Sequence, residues 1–168
     1  MTLADLEEGS AVFVDANVLI YHFVGVSPQC TALLGRCEAR EVRGLTSAVV
    51  VAEVSHRLMM IEAVERKLVT PGNVVRKLAR RADVVRQLTR YQASVEAIPA
   101  MGIDISPVTE TTILLGLRHQ RRYGLLTNDS LVVASMQQQG VRSLATADER
   151  LRVVDEIELF VPADLSGS

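Results

Sequence analysis

Apolar positions along the chain fall into short runs and helical-period stretches that alternate. Val12-Phe13-Val14 is a β-branched and aromatic run, which predicts a buried strand over 12–14. Asp15 stands where that strand stops, and a helical pattern over 16–23 follows. Ser27-Pro28, a cap with proline in the first turn, opens a helix reaching about residue 39. A second strand over 43–46 ends at Ser47 and leads into a helix over 48–60. That helix is apolar on nearly every face, so it is expected to be largely buried. Its Glu53 is then conspicuous, because an unpaired buried carboxylate is costly.

From 62 to 97 the pattern is helical and rich in charge, with Thr70-Pro71 as another cap-plus-proline start. Ile103-Asp104-Ile105-Ser106 alternates as a strand does and stops at Pro107. Thr109 caps a helix to about 123, with Gly124 as its stop. A further helix follows Asn128-Asp129 and ends at Gly140. Strands are expected over 143–146 and 159–162. Residues 1–10 read as a loose lead-in and 163–168 as a disordered tail. Strands alternating with helices predict one α/β domain over 11–162, with a central, mainly parallel sheet, 12–14 near its middle and helices on both faces.

At 168 residues the chain is long enough for one sizeable core. Hydrophobic residues are 48% but aromatic ones only 4%, so Val, Leu, Ile and Ala must build that core. A net charge of −2 excludes a polybasic nucleic-acid binder, though not a nuclease whose acidic site offsets basic patches elsewhere. Lysine occurs only at 67 and 77; the other basic residues are arginines, which suit bidentate phosphate contact. Arg76, Lys77, Arg80, Arg81, Arg86 and Arg90 form either a solvated helix face or, with Arg118, Arg121 and Arg122, a surface for RNA or a partner. Cys30 and Cys37 lie two helical turns apart, roughly 10 Å, too far for an unstrained disulfide. No Cys/His cluster suggests zinc, and His22, His56 and His119 show no ligand spacing. The N-terminus is acidic where a signal peptide is basic, and no apolar run approaches a membrane span, so a cytoplasmic protein is expected.

Four acids occupy comparable places. Asp15 follows the first strand, Glu53 lies in the helix after the second, Asp129 opens a helix, and Asp148 follows the strand ending at Thr146. Each has a purely structural alternative. Asp15 and Asp129 can cap helices, Glu53 can pair with Arg57 four residues on, and Thr146 with Glu149 matches a capping box. If the four instead meet at the carboxyl edge of one sheet, they repel unless cations neutralise them. Oxygen donors without Cys or His match Mg²⁺ or Mn²⁺, and such clusters serve metal-assisted phosphoryl transfer.

The chain over about 11–162 resembles the PIN-domain nucleases, and among them the VapC-like toxins of toxin–antitoxin pairs. The resemblance rests on Val14-Asp15-Ala16-Asn17-Val18-Leu19-Ile20, Thr46-Ser47 with Ala52-Glu53-Val54, Asn128-Asp129-Ser130-Leu131-Val132-Val133-Ala134, and Thr146-Ala147-Asp148, in this order. It implies a PIN-like three-layer sandwich and a Mg²⁺- or Mn²⁺-dependent endoribonuclease. Asp15, Glu53, Asp129 and Asp148 would be its acids, with Asp15, Asp129 and Asp148 holding the metal. Asn17 and Thr146 would position water or the carboxylates, with Arg76, Arg80 and Arg81 as candidate contacts for RNA or a partner. It also implies a small antitoxin partner and a homodimer. Two stretches depart from the family pattern: 60–101 is longer than the helical pair of a compact toxin, and Glu149-Arg150-Leu151 stands where an acidic-aromatic sequence is usual. A haloacid-dehalogenase-like phosphatase needs a second Asp where this chain has Asn17, and a receiver domain needs a late lysine. A PIN-like scaffold or RNA-binding module without catalysis is the non-enzymatic alternative.

Overall fold

The computed structural model describes residues 1–165. Five strands, β1 (Ala11–Val14), β2 (Arg43–Ser47), β3 (Ile103–Ser106), β4 (Ser143–Ala145) and β5 (Glu158–Phe160), form one sheet in the order β3-β2-β1-β4-β5. All neighbours are parallel. Val12, Phe13 and Val14 are fully buried in the central strand, as a strand covered on both faces requires. The carboxyl ends of β1, β2 and β4 share one edge of the sheet, where parallel α/β folds place their ligands.

The helices are α1 (Ala16–Phe23), α2 (Pro28–Glu38), α3 (Ala48–Glu65), α4 (Val74–Leu78), α5 (Ala82–Val85), α6 (Arg90–Ala97), α7 (Glu110–Tyr123) and α8 (Thr127–Gln139). Local signals end several of them as expected. Ser27 Oγ accepts from Cys30 N at 3.1 Å, and Thr109 forms a capping box with Thr112. Gly124 and Gly140 close α7 and α8 in the left-handed conformation. Gly102 ends the turn before β3 at φ +73°, and a Cβ there would lie 2.3 Å from the Cys37 carbonyl oxygen. Cys30 and Cys37 are buried and free. Burial pushes the Cys37 thiol up to about 11.

Helix α3 corrects the expectation that it is largely buried. Only Val50, Val54, Leu58, Glu62 and Ala63 are buried, a single stripe four residues apart along most of its length. Glu53 lies off that stripe with its side chain 32% exposed, and the buried acid is Glu62, at 2%. Glu62 accepts from Arg66 Nη1 at 2.9 Å, Tyr91 N at 3.0 Å and Thr89 N at 3.2 Å, tying α3 to the start of α6.

The expected helix start at Thr70-Pro71 is not formed. Lys77 Nζ takes the Thr70 hydroxyl and carbonyl and the Pro71 carbonyl, and α4 begins only after Asn73. The segment around α4 and α5 packs a small second core of Ala63, Val69, Leu78, Val84 and Leu88, with Met59 and Met60 against it.

The lead-in is anchored rather than loose. Leu3 and Leu6 are buried, Thr2 bridges in parallel to Val161, and Arg36 Nη2 donates to the Leu6 carbonyl at 2.7 Å. Residues 163–165 form a 3-10 turn whose Asp164 carboxylate accepts from Ser27 Oγ at 2.8 Å and Gln29 N at 2.9 Å. The rest of the expected disordered tail, 166–168, lies outside the described residues. Among the described residues no single helix is long and apolar enough to cross a membrane.

Candidate active site

Asp15, Asn17, Glu53, Arg57, Asn128, Asp129, Asp148 and Arg150 line one pocket of about 110 Å³ at the carboxyl edge of the sheet. Asp15 comes from the end of β1, Glu53 from the first half of α3, Asp129 from the first turn of α8, and Asp148 from the turn after β4. A larger cavity of about 490 Å³, lined by His119, Arg122, Met136, Val141 and Glu156 among others, contains none of these acids.

Asp15 belongs to a hydrogen-bond network joining the ends of β1 and β4. Its Oδ2 accepts from Thr146 Oγ1 at 2.7 Å and Asn17 Nδ2 at 2.8 Å, and its Oδ1 from Ala16 N at 2.7 Å. Asn17 Oδ1 accepts from Ala147 N at 2.8 Å, and Thr146 Oγ1 accepts from Asp148 N at 3.0 Å. Asp15 therefore does cap α1, but through the first amide of the helix, while its second oxygen faces Thr146 and Asn17. Burial raises the Asp15 carboxyl above its ordinary value; the hydrogen bonds oppose this, and the charges of Glu53 and Asp129 add to it.

Asp129 is no cap. It lies inside the first turn of α8, whose capping position is Leu126, and its carboxylate accepts no hydrogen bond among the described residues. Burial raises it as well, Arg150 opposes, and Asp148 and Glu53 push further upward. The predicted capping box at Thr146 is not formed. Thr146 is buried and turned to Asp15, Glu149 pairs with Arg152, and Asp148 itself caps the 3-10 turn over 149–153.

Two of the acids are held by arginines. Arg150 Nε donates to Asp148 Oδ1 at 2.9 Å and Oδ2 at 3.0 Å, its Nη2 also donates to Oδ2, and these bonds hold the Asp148 carboxyl below its ordinary range. Glu53 meets Arg57 at 3.8 Å and accepts from Asn128 Nδ2 at 3.3 Å. The expectation that the four carboxylates gather within one metal-binding span is therefore corrected. They share a pocket, yet no group of three or more acids, histidines or cysteines among the described residues stands at metal-holding distance. Asp148 and Glu53 are paired with Arg150 and Arg57 instead.

From sequence, Arg57 reads only as a helix partner of Glu53 and Arg150 only as part of a departure from the family pattern. Position two after Asp148 was the available signal for Arg150. The histidines take no part: His119 is buried against Gln137, with 2.9 Å between Nε2 and Oε1, and His22 Nδ1 lies 3.0 Å from Thr31 Oγ1. Of the arginines considered for RNA or a partner, Arg76 and Arg80 are exposed and have no ion-pair partner among the described residues. Arg81 is engaged by Asp83, and Arg122 by Glu156.

Solved structures share this architecture. VapBC2 from Rickettsia felis, bound to a promoter DNA fragment, matches with a TM-score of 0.59 at 12% identity, over 90% of this chain and 98% of that one. A toxin–antitoxin complex from Klebsiella pneumoniae matches at 0.57 and 17%, over 88% and 95%. Mycobacterium tuberculosis VapC20, a toxin that cleaves the sarcin-ricin loop, matches at 0.56 and 15%, over 85% and 95%. Such identities speak to the fold alone. No curated protein matches the sequence. The PIN domain family model matches residues 12–157, a span that covers nearly the whole described chain and contains all four acids, and the chain belongs to the PIN-domain family.

Proposed function

We propose that this PIN-domain chain is a Mg²⁺- or Mn²⁺-dependent endoribonuclease, the toxin of a toxin–antitoxin pair acting in the cytoplasm. The observation that carries the reading is the convergence of Asp15, Glu53, Asp129 and Asp148 from four elements on one pocket at the carboxyl edge of the sheet. Burial raises two of these carboxyls, and neighbouring acids add to it: Glu53 and Asp129 act on Asp15, and Asp148 and Glu53 act on Asp129, so a cation in the pocket would relieve repulsion. The donor set fits. It consists of carboxylate and amide oxygens with no sulfur or imidazole, as hard divalent ions prefer.

Asp15, Asp129 and Asp148 would hold the ion, and Glu53 would complete the acidic cluster. A bound ion of this kind supplies Lewis-acid activation of water and charge compensation at the phosphoryl group. The chain's own part is orientation. Thr146 and Asn17 fix Asp15 Oδ2, and Asn17 in turn is fixed by Ala147 N, so the Asp15 carboxylate is preorganised. Asp129 carries no such restraint and can turn toward a ligand. An RNA substrate, a small antitoxin partner and a homodimer belong to the same reading; the likeness to VapBC2 and to the Klebsiella pneumoniae toxin–antitoxin complex supports the antitoxin, and exposed Arg76 and Arg80 are available to either RNA or partner.

The test is cleavage of a mixed RNA pool by the purified chain with Mg²⁺, Mn²⁺ or chelator, alongside D15N. Cleavage is expected only with metal, leaving a 5′-phosphate and a 3′-hydroxyl, and lost in D15N. A cyclic-phosphate product would overturn it, since attack by the 2′-hydroxyl needs no metal. RNA binding without turnover, unchanged by Mn²⁺, would return the chain to the non-catalytic scaffold reading.

A further inference from the structure

The acidic pocket carries its own cations. All the hydrogen bonds to the Asp148 carboxylate among the described residues come from Arg150, through Nε, Nη2 and the backbone N at 3.0 Å. Arg57 holds Glu53 more loosely, at 3.8 Å. Asp15 is held by neutral donors and Asp129 by none. Four carboxylates thus face two guanidinium groups, and the better-seated guanidinium lies on an acid assigned to the divalent ion. A guanidinium fork occupies both oxygens of a carboxylate and a divalent ion needs at least one of them, so they compete for it. The Arg150 side chain is 72% exposed, so it can leave Asp148 without disturbing the core.

We propose that Arg150 is a built-in competitor for the pocket's divalent cation, holding Asp148 in the metal-free chain and giving up that carboxylate as the ion binds. The inference rests on the metal reading above. It predicts that the ion binds more weakly to the native chain than the acids alone would allow. Arg152 supplies the control: it lies in the same 3-10 turn and pairs with Glu149, and neither residue lines the pocket.

Mn²⁺ is titrated into metal-free wild type, R150Q, R150K and R152Q at fixed ionic strength, with free Mn²⁺ followed by electron paramagnetic resonance and folding checked by melting curves. R150Q is expected to bind Mn²⁺ roughly three- to six-fold more tightly than R152Q, the range set by an exposed but bidentate pair. R150K is expected between them, because lysine keeps the charge but loses the fork. It also keeps the comparison open if R150Q folds poorly. Equal or weaker binding by R150Q relative to R152Q would overturn the competitor and leave the metal reading standing. Absence of Mn²⁺ binding in all four proteins would overturn both.

Discussion

Thr146 Oγ1 donates to Asp15 Oδ2 at 2.7 Å across 131 residues of sequence, and the same oxygen accepts from Asp148 N at 3.0 Å. One buried hydroxyl therefore sets both the rotamer of the first acid and the backbone that carries the fourth. The parallel pairing of β1 with β4 makes this possible, since it brings the two strand ends side by side.

Replacing Thr146 by Ala removes the hydroxyl and leaves Asp15 Oδ2 with Asn17 alone. A loss of roughly 10- to 100-fold in metal-dependent cleavage is expected, as for other groups that orient ligands. Stability should fall by about 1–2 kcal/mol, because the Asp148 amide loses its acceptor. T146S keeps the hydroxyl and should recover most of the activity. Equal cleavage by T146A and wild type would detach this network from function.

D15N tests whether Asp15 is a cap or a charge. A folded carboxyl raised above its ordinary 3.8 contributes stability in acid, and that contribution is lost as pH rises through the raised value. Asn removes this dependence. It also loses one of the three bonds, since one of its two positions is a donor facing a donor, at a cost of about 1 kcal/mol. The Tm difference, D15N minus wild type, should therefore become more positive from pH 4 to pH 7, while cleavage falls roughly a hundredfold or more. A flat Tm difference together with intact cleavage would leave Asp15 as a cap.

Glu62 gives the opposite pH dependence. Burial alone would raise its carboxyl, but the bonds from Tyr91 N, Arg66 and Thr89 N prevail and hold it below its ordinary 4.5. Its stabilisation is complete above 4.5 and is lost as pH falls through the lower folded value. E62Q should cost roughly 2–3 kcal/mol at pH 7 by leaving donors unpaired, lowering Tm by about 5–10 °C, with the difference from wild type shrinking in acid. Thermal melts at pH 7 and below pH 4 check both the size and the sign.

Several helix ends were legible because their causes are local, and the parallel sheet with 12–14 near its middle because strands and helices alternate. Ser27-Pro28, Thr109, Gly124 and Gly140 each mark a boundary by its own chemistry, and the strand–helix alternation implies a parallel sheet. Burial on α3 was not, because a run of valines and alanines does not tell which stripe packs. Helix α3 packs against α6, α1, α8 and β2 along the stripe of Val50, Val54, Leu58 and Glu62, which leaves Glu53 at the pocket rim. Glu62 was missed for the complementary reason: its donors Thr89 and Tyr91 lie more than 25 residues away. The acids of the pocket are legible as a set and Arg57 as the partner of Glu53, but Arg150 is not legible as the partner of Asp148. Arg150 reads as ordinary surface charge until its reach to Asp148 is seen.

The basic residues of the helical segment divide by what already holds them. Arg81 donates to Asp83 from both Nε and Nη2, so its charge is largely answered within the chain. Arg76 and Arg80 are exposed and have no ion-pair partner among the described residues, so they are free to make the proposed phosphate contact. R76Q/R80Q should weaken RNA binding and flatten its salt dependence by about 1.4 in the slope of log K against log[salt], since each single-strand phosphate contact contributes about 0.7. R81Q alone should change that slope by far less. Filter binding of a single-stranded RNA across a salt series, in chelator so that no cleavage intervenes, reads both slopes. An unchanged slope in the double variant would make this face a solvated one.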